Sequence, residues 1–161
     1  MSRYVVPART SVGHVHLKVA DLGRAEAFYV GVLGFAVKQR YGRQAVFLAA
    51  GDYHHHLGLN TWESQGGRAP SPGTTGLYHV AFLYPTRRDL AQVLRQLRAH
   101  GIPLEGAADH GVSEALYLRD PDGNGVELYW DRPMEAWPRD GAGDWAMVTE
   151  ALDLDALLAL A

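Results

Sequence analysis

The sequence predicts an α+β fold built from two tandem βαβββ modules, and three observations support this prediction. A strand followed by an amphipathic helix occurs twice, with the helices in DLGRAEAFYVGVLGF and PTRRDLAQVLRQLRAHGI. Short runs that alternate apolar and polar residues follow each helix, as expected of half-buried strands. A stretch rich in Gly, Pro and Ser, residues 64–76, separates the two copies as a linker. We therefore expect two modules related by a pseudo-twofold axis, with a mixed sheet that curls into a cup.

The first module is predicted over residues 12–63. It opens with a strand, and Asp21 is a good N-cap for the helix that follows. Gly34 stands where a C-terminal glycine ends a helix. The predicted strands of this module are Val12–Val19, Phe35–Gln39, Ala45–Ala49 and residues 54–60.

The second module is predicted over residues 77–133, with strands at 77–84, 113–119 and 126–130. Its helix has Leu90, Leu94 and Leu97 on one face and is closed by Gly101. The run DPDGN reads as a tight turn. Residues 134–161 form a C-terminal tail with a short helix.

Composition and charge exclude several classes of function. The net charge of −3 gives no reason to expect nucleic acid as a partner. No apolar run approaches the roughly 20 residues that span a membrane, and the start lacks the apolar core of a secretory signal, so we expect a cytoplasmic protein. The chain has no cysteine and eight histidines. Any metal is therefore held by His, Asp, Glu or water, which favours Fe(II), Mn, Zn, Ni or Co.

Side-chain alternation places several polar residues on one face of the predicted sheet. Strand side chains alternate with a period of two, so Val15 and Leu17 face the helix and His14 faces away from it. The same alternation turns His79 and Glu127 away from the second helix. Two histidines and one carboxylate match the facial triad of non-haem iron sites, which leaves coordination positions open. The sequence thus predicts a metal site at His14, His79 and Glu127.

These stretches also resemble a known superfamily, the vicinal oxygen chelate proteins, which include glyoxalases, extradiol dioxygenases and bleomycin resistance proteins. The resemblance lies in VGHVHLKVADLGRAEAFYVGVLGF, HHHLGLNTW, LYHVAFLYPTRRDLAQVLRQLRAHGI and LYLRDPDGNGVELYWDRP, and covers residues 12–133. Within the superfamily the chain is most similar to the catechol 2,3-dioxygenase group, through YHHHLGLNTW, DHGVSEALYL and GNGVELYWDRPMEAWPRD.

The resemblance implies an oxidoreductase that uses Fe(II) and dioxygen to open a catechol-type aromatic ring. The same three residues would be the metal ligands. His110 and Tyr117 would move protons, and His56 would line the substrate pocket or donate to a metal-bound oxygen. The members of this group are commonly about twice as long, with four modules, and short members often form homodimers.

Two other functions stay open on the sequence. One is a glyoxalase-like metal-dependent lyase or isomerase, although His56 stands near the position where glyoxalases supply a fourth ligand, a glutamate. The other is a non-catalytic small-molecule binding or resistance protein. A pure binding protein has no need for His14, His79 and Glu127 together, which favours an enzyme.

Overall fold

The structure, a computed structural model, describes residues 3–161 and confirms the predicted α+β class. The strands lie in two mixed sheets. The first sheet has the order β1-β4-β3-β2, with β1 Val15–Lys18, β2 Ala36–Tyr41, β3 Ala45–Ala49 and β4 Leu57–Asn60. The second has the order β5-β8-β7-β6-β9, with β5 Val80–Leu83, β6 Gly106–Asp109, β7 Ser113–Arg119, β8 Gly125–Asp131 and β9 Glu150–Ala151. The helices are α1 Leu22–Tyr29, α2 Arg87–Ala99 and α3 Leu154–Leu158, with a short 3-10 helix at Met134–Ala136.

The two sheets repeat one arrangement of strands. In each, the first strand pairs in parallel with the last strand of the βαβββ unit, β1 with β4 and β5 with β8. Val15 lies opposite Leu57 in the first sheet, and Val80 lies opposite Val126 in the second. The internal repeat read from the sequence is therefore a repeat of strand topology and register.

The helices begin where their sequences place caps. The Asp21 carboxylate accepts a hydrogen bond from the Arg24 backbone N–H at 2.7 Å, which starts α1. Thr86 and Asp89 form a reciprocal capping box at the start of α2. α1 ends at Tyr29, before the predicted end at Gly34. Residues 30–33 form a turn, and Gly34 itself has a φ of +82°.

Both halves share a single hydrophobic core. Its fully buried side chains come from both sheets and all three helices, and the largest include Tyr29, Leu48, Leu59, Leu90, Leu97, Leu128 and Leu157. Leu157 lies on α3, so the tail contributes to this core and packs against α2. Burial of such large apolar side chains stabilises the fold by about 1.5–3 kcal/mol each.

Polar contacts also join the two halves. The Tyr29 hydroxyl of α1 donates to the Asp120 carboxylate at 2.9 Å, and the Ala20 backbone N–H donates to the Asp122 carboxylate at 3.1 Å. The Arg24 guanidinium contacts the same Asp122 carboxylate. Asp120 and Asp122 belong to the DPDGN run, which forms the predicted turn between β7 and β8.

Three strands begin three residues later than the sequence predicts. β1 and β5 begin at Val15 and Val80, so His14 and His79 each lie one residue before a strand. β4 begins at Leu57, and residues 51–56 form turns and bends. The two-residue strand β9 and the strand β6 were not predicted, because a run of Gly, Ala and Asp such as GAAD carries no alternating pattern.

No helix in residues 3–161 has both the length and the apolar character needed to cross a membrane.

Candidate metal centre and active site

A histidine and a carboxylate meet on the polar face of the second sheet. His79 Nε2 and Glu127 Oε2 are 2.9 Å apart. Glu127 lies on the interior strand β8, between the buried Val126 and Leu128, so strand alternation turns its carboxylate to the opposite face. Ala81 lies opposite Glu127 in the β5–β8 pairing. His79 is two residues before Ala81, so its side chain points to the same face and contacts the Glu127 carboxylate. This confirms the alternation that predicted both orientations.

Tyr117 and His110 extend this pair into a chain of hydrogen bonds. Tyr117 lies opposite Glu127 in the β7–β8 pairing, and its hydroxyl is 3.3 Å from Glu127 Oε1. His110 Nε2 is 2.7 Å from the same hydroxyl. Burial, followed by the Glu127 charge, raises the pKa of Tyr117 to about 12. Tyr117 therefore remains a protonated hydrogen-bond donor throughout the physiological pH range.

A network of charged side chains around the buried Glu114 supports the loop that carries His110. The Glu114 carboxylate, nearly inaccessible to solvent, is 2.7 Å from Arg87 Nε and 2.9 Å from Arg132 Nη2. Arg132 also bonds the carboxylate of Asp109, which in turn accepts a hydrogen bond from the Gly111 backbone N–H at 2.8 Å. A buried charge pair that is this fully bonded fixes geometry, since removing one member leaves the others uncompensated. The sequence analysis did not identify this network, because no motif signals it.

The remaining predicted residues, His14 and His56, lie in a cleft of about 880 Å³ that His79 also lines. Apolar rings and aliphatic chains form most of its wall, including Phe35, Phe82 and Leu77. His14 follows Gly13 and is exposed. His56 Nδ1 accepts a hydrogen bond from the Ala50 backbone N–H at 3.3 Å, and its ring lies 4.6 Å from that of Tyr53.

The structure brings His79, Glu127, Tyr117 and His110 into one hydrogen-bonded chain, and it places His14 and His56 outside that chain. Within residues 3–161, no three His, Asp or Glu side chains come together in an arrangement that could hold a metal ion. A single chain thus assembles two of the three predicted ligands.

His55 is a residue that sequence reasoning passed over. Its ring lies against that of His14 with centroids 4.4 Å apart and the ring planes tilted by 47°, and its Nδ1 is 2.7 Å from His54 Nδ1. Burial, followed by the nearby His14, lowers the pKa of His55, so its imidazole is biased toward the neutral form. The predicted strand at residues 54–60 would turn His55 toward the helix side. Residues 54–56 precede β4, so strand alternation does not apply to them.

The His79 and Glu127 donor set suits a divalent transition metal. An imidazole nitrogen and a carboxylate oxygen that already lie 2.9 Å apart can bind one ion after small side-chain rotations. Tyr117 contacts the same carboxylate and would orient it, as second-shell groups do at metal sites.

Comparison with known proteins gives a consistent result. Residues 11–128 match the family described as Glyoxalase/Bleomycin resistance protein/Dioxygenase superfamily. Catechol-2,3-dioxygenase of Bacillus subtilis is 43% identical over 149 residues, which cover 92% of this chain and 51% of that protein. Biphenyl-2,3-diol 1,2-dioxygenase 3 of Rhodococcus globerulus is 40% identical over 123 residues, which cover 74% of this chain and 63% of that protein. The chain therefore spans between half and two thirds of the length of these two curated relatives.

Solved structures agree with the fold. The crystal structure of lactoylglutathione lyase from Agrobacterium tumefaciens superposes with a TM-score of 0.59 at 26% identity, covering 77% of this chain and 96% of that one. The matched sequence, the repeated strand topology and this superposition agree, and the chain belongs to the Glyoxalase/Bleomycin resistance protein/Dioxygenase superfamily.

Proposed function

We propose that this protein is a metal-dependent extradiol dioxygenase that opens the ring of a catechol-type aromatic. The observation that carries the proposal is the chain of hydrogen bonds through His79, Glu127, Tyr117 and His110, which joins two metal-binding groups to two groups able to move protons. The names of the two curated relatives, both dioxygenases of aromatic diols, support the same reaction. The proposed metal is Fe(II), with His14, His79 and Glu127 as ligands.

Bound at these residues, the metal would supply binding positions for a catecholate and dioxygen and would lower the pKa of the bound hydroxyl. The protein supplies the proton transfers. His110, whose Nε2 lies 2.7 Å from the Tyr117 hydroxyl, is the candidate general base. Tyr117 lies between His110 and Glu127, so its hydroxyl can pass a proton between the substrate and His110.

The apolar lining of the cleft supports an aromatic substrate. Phe35, Phe82, Leu77 and Tyr84 line it, and few polar side chains interrupt this wall. Aromatic and aliphatic side chains with a few convergent polar groups are typical of small-molecule sites. Of the three histidines that line the cleft, His14 and His79 would hold the metal, and His56 is left to orient a substrate hydroxyl.

We also propose that the protein acts as a homodimer in which a second copy brings His14 to the His79–Glu127 pair. Among the described residues, β1 and β5 each have a neighbouring strand on one side only, so both expose an open backbone edge. Open edges pair readily with another strand. Large apolar side chains lie exposed beside both edges: Val12, Leu77, Tyr78 and Leu83. Pairing of these edges would cover this apolar surface and supply the third ligand that one chain leaves apart.

The test is anaerobic reconstitution with Fe(II), addition of catechol and then of air. We expect a yellow ring-opened product and one equivalent of dioxygen consumed per ring. His14→Ala, His79→Ala and Glu127→Ala should each abolish the product and weaken iron binding. Turnover of a thiol-adduct substrate without oxygen uptake would point instead to a metal-dependent lyase, and failure of the wild type to bind any divalent metal would contradict the proposal.

Mixing two inactive variants tests the shared site. If a second copy supplies His14, unfolding and refolding His14→Ala together with His79→Ala restores activity, because each mixed dimer contains one intact ligand set. Each variant refolded alone is the control and stays inactive. Failure of the mixture to recover activity would place His14 and His79 of one site on the same chain.

A further inference from the structure

The C-terminal tail reaches the candidate site and contacts His110 twice. His110 Nδ1 is 2.9 Å from the Val148 carbonyl oxygen, and the Val148 backbone N–H donates to the His110 carbonyl oxygen at 3.1 Å. Two residues further on, β9 pairs with β6, so that Asp109 lies opposite Glu150. These tail residues lie beyond residue 128, where the match to the family ends.

Counting protons fixes the state of the His110 ring. A carbonyl oxygen can only accept, so His110 Nδ1 must carry a proton at this contact. The Thr149 hydroxyl lies further from Nδ1, at 3.4 Å, and cannot offset the repulsion that an unprotonated Nδ1 would feel from the carbonyl. A neutral imidazole has one N–H, which leaves Nε2 as an acceptor. In this neutral form the Tyr117 hydroxyl, 2.7 Å away, can donate to Nε2. When Nε2 takes up a proton it donates to the Tyr117 hydroxyl instead, and that hydroxyl donates to Glu127 Oε1 at 3.3 Å.

We propose that Val148 is a positioning residue whose main-chain carbonyl holds neutral His110 in the Nδ1–H tautomer, so that Nε2 faces Tyr117 as a base. The inference rests on the proposed function, in which His110 and Tyr117 transfer the substrate proton. An unconstrained imidazole could place its proton on Nε2, which would direct a donor at Tyr117 and remove the base.

The fold keeps the tail in the position that this role requires. Leu157 of α3 is fully buried in the shared core and anchors the tail beyond β9. On the His110 side, Gly111 has a φ of +74°, and a Cβ built there would lie 2.8 Å from Pro138 of the tail. The tail and the loop of His110 therefore approach each other too closely for a larger residue at position 111. The hydrogen bond between His110 and Val148 is thus fixed on one side by this close packing and on the other by the buried Leu157.

Histidine tautomers can be observed directly, without any activity assay. We would record long-range ¹H–¹⁵N correlation spectra of the metal-free protein and of the zinc-loaded protein, with His110 assigned from the variant His110→Gln. The expected result is a neutral His110 with a protonated Nδ1 and an unprotonated Nε2. A His110 that carries its proton on Nε2 in the wild-type protein overturns the proposal, whether or not the protein is a dioxygenase.

A pair of proline variants then tests Val148 itself. Val148→Pro removes the N–H that donates to His110 and should mix the two tautomers. Met147→Pro is the matched control, because the Met147 N–H makes no backbone hydrogen bond within the part of the chain described. For Val148→Pro we expect kcat to fall roughly 10- to 100-fold with KM nearly unchanged. If folded Val148→Pro keeps the Nδ1–H tautomer after the Nδ1 proton has lost its hydrogen-bonded chemical shift, the carbonyl does not select the tautomer and the assigned role is contradicted. The wild-type spectrum decides the matter if that variant does not fold.

Discussion

The two halves of the protein share a strand topology and differ in what they place at one equivalent pair of positions. In the first sheet, His16 on β1 lies opposite Gly58 on β4. At the same register in the second sheet, Ala81 on β5 lies opposite Glu127 on β8. In the first half the large residue is on the first strand and the small one on the last strand, and in the second half this order is reversed.

This reversal explains why only the second half carries a ligand carboxylate. A Cβ built on Gly58 would lie 2.9 Å from the His16 ring, so the first sheet has no room for a side chain where the second has Glu127. Ala81 leaves that room in the second sheet, and His79 and Tyr117 fill it with polar contacts. The first half instead stacks imidazoles, His14 on His55. The repeated strand pairing thus determines which positions face each other in both sheets. The size of the residue on the neighbouring strand determines whether a ligand side chain such as Glu127 has room.

The largest expected effect comes from removing the charge that distinguishes the two halves. Glu127→Gln keeps the shape of the side chain and loses its negative charge, so metal affinity should fall by at least about 100-fold and ring opening should stop. Metal content after dialysis and product formation are the measurements. Glu105→Gln, an exposed carboxylate paired with Arg119 on the same sheet, is the control and should keep both. Full metal binding by Glu127→Gln would exclude this carboxylate as a ligand.

Removing the Tyr117 hydroxyl should separate metal binding from proton transfer. Tyr117→Phe retains the ring and the metal ligands, so we expect normal iron content with kcat lowered about 100-fold. Steady-state kinetics and metal analysis check this. Tyr41→Phe, on an exposed strand of the first sheet, should behave as the wild type. Equal kcat in Tyr117→Phe and wild type would show that the phenol takes no part in turnover.

The steric contrast between Gly58 and Ala81 predicts a coupled pair of substitutions. Gly58→Ala should lower the free energy of unfolding by about 1–3 kcal/mol, because the new methyl group overlaps His16. In the background of His16→Ala the same substitution should cost much less. Urea unfolding of the four proteins gives the coupling energy. Additive effects would mean that His16 does not limit the space at residue 58.

The smallest expected effect concerns Tyr29, which connects the two halves. Tyr29→Phe loses the hydrogen bond to Asp120, and we expect a cost of about 1 kcal/mol at pH 7. Burial and the Asp120 charge raise the pKa of Tyr29 above its ordinary value. Above about pH 10 the unfolded chain therefore releases a proton that the folded chain retains, and stability falls by up to about 1.4 kcal/mol per pH unit.

Denaturant unfolding of wild type and Tyr29→Phe between pH 7 and pH 11 measures this difference. The Phe variant lacks the ionisable group, so its stability should decline less steeply above pH 10. Parallel curves for the two proteins would show that the Tyr29 proton is not linked to folding.

The sequence predicted the repeat and the facing of Glu127, because both depend on local periodicity and Glu127 lies on a strand between buried neighbours. His79, one residue before β5, continues the same alternation. His55 was missed, because alternation has no meaning in the bend that precedes β4. The contact between His110 and Val148 was also beyond reach. It joins residues 38 positions apart through a backbone carbonyl, and any residue at position 148 would offer the same acceptor. The residue type at position 148 therefore cannot be used to predict this contact from the sequence.

The Tyr29–Asp120 and Ala20–Asp122 hydrogen bonds have a consequence for recombining this family. The first joins residues 91 positions apart and the second joins residues 102 positions apart, and in both bonds the linker lies between the two partners. A chimera that takes its first half from one parent and its second from another inherits the two sides of these bonds from different genes. Parents that differ at any of these side chains would leave a carboxylate or a phenol buried without its partner. Crossover libraries should therefore keep α1 and the DPDGN turn from the same parent, even when the crossover itself falls in the permissive linker between them.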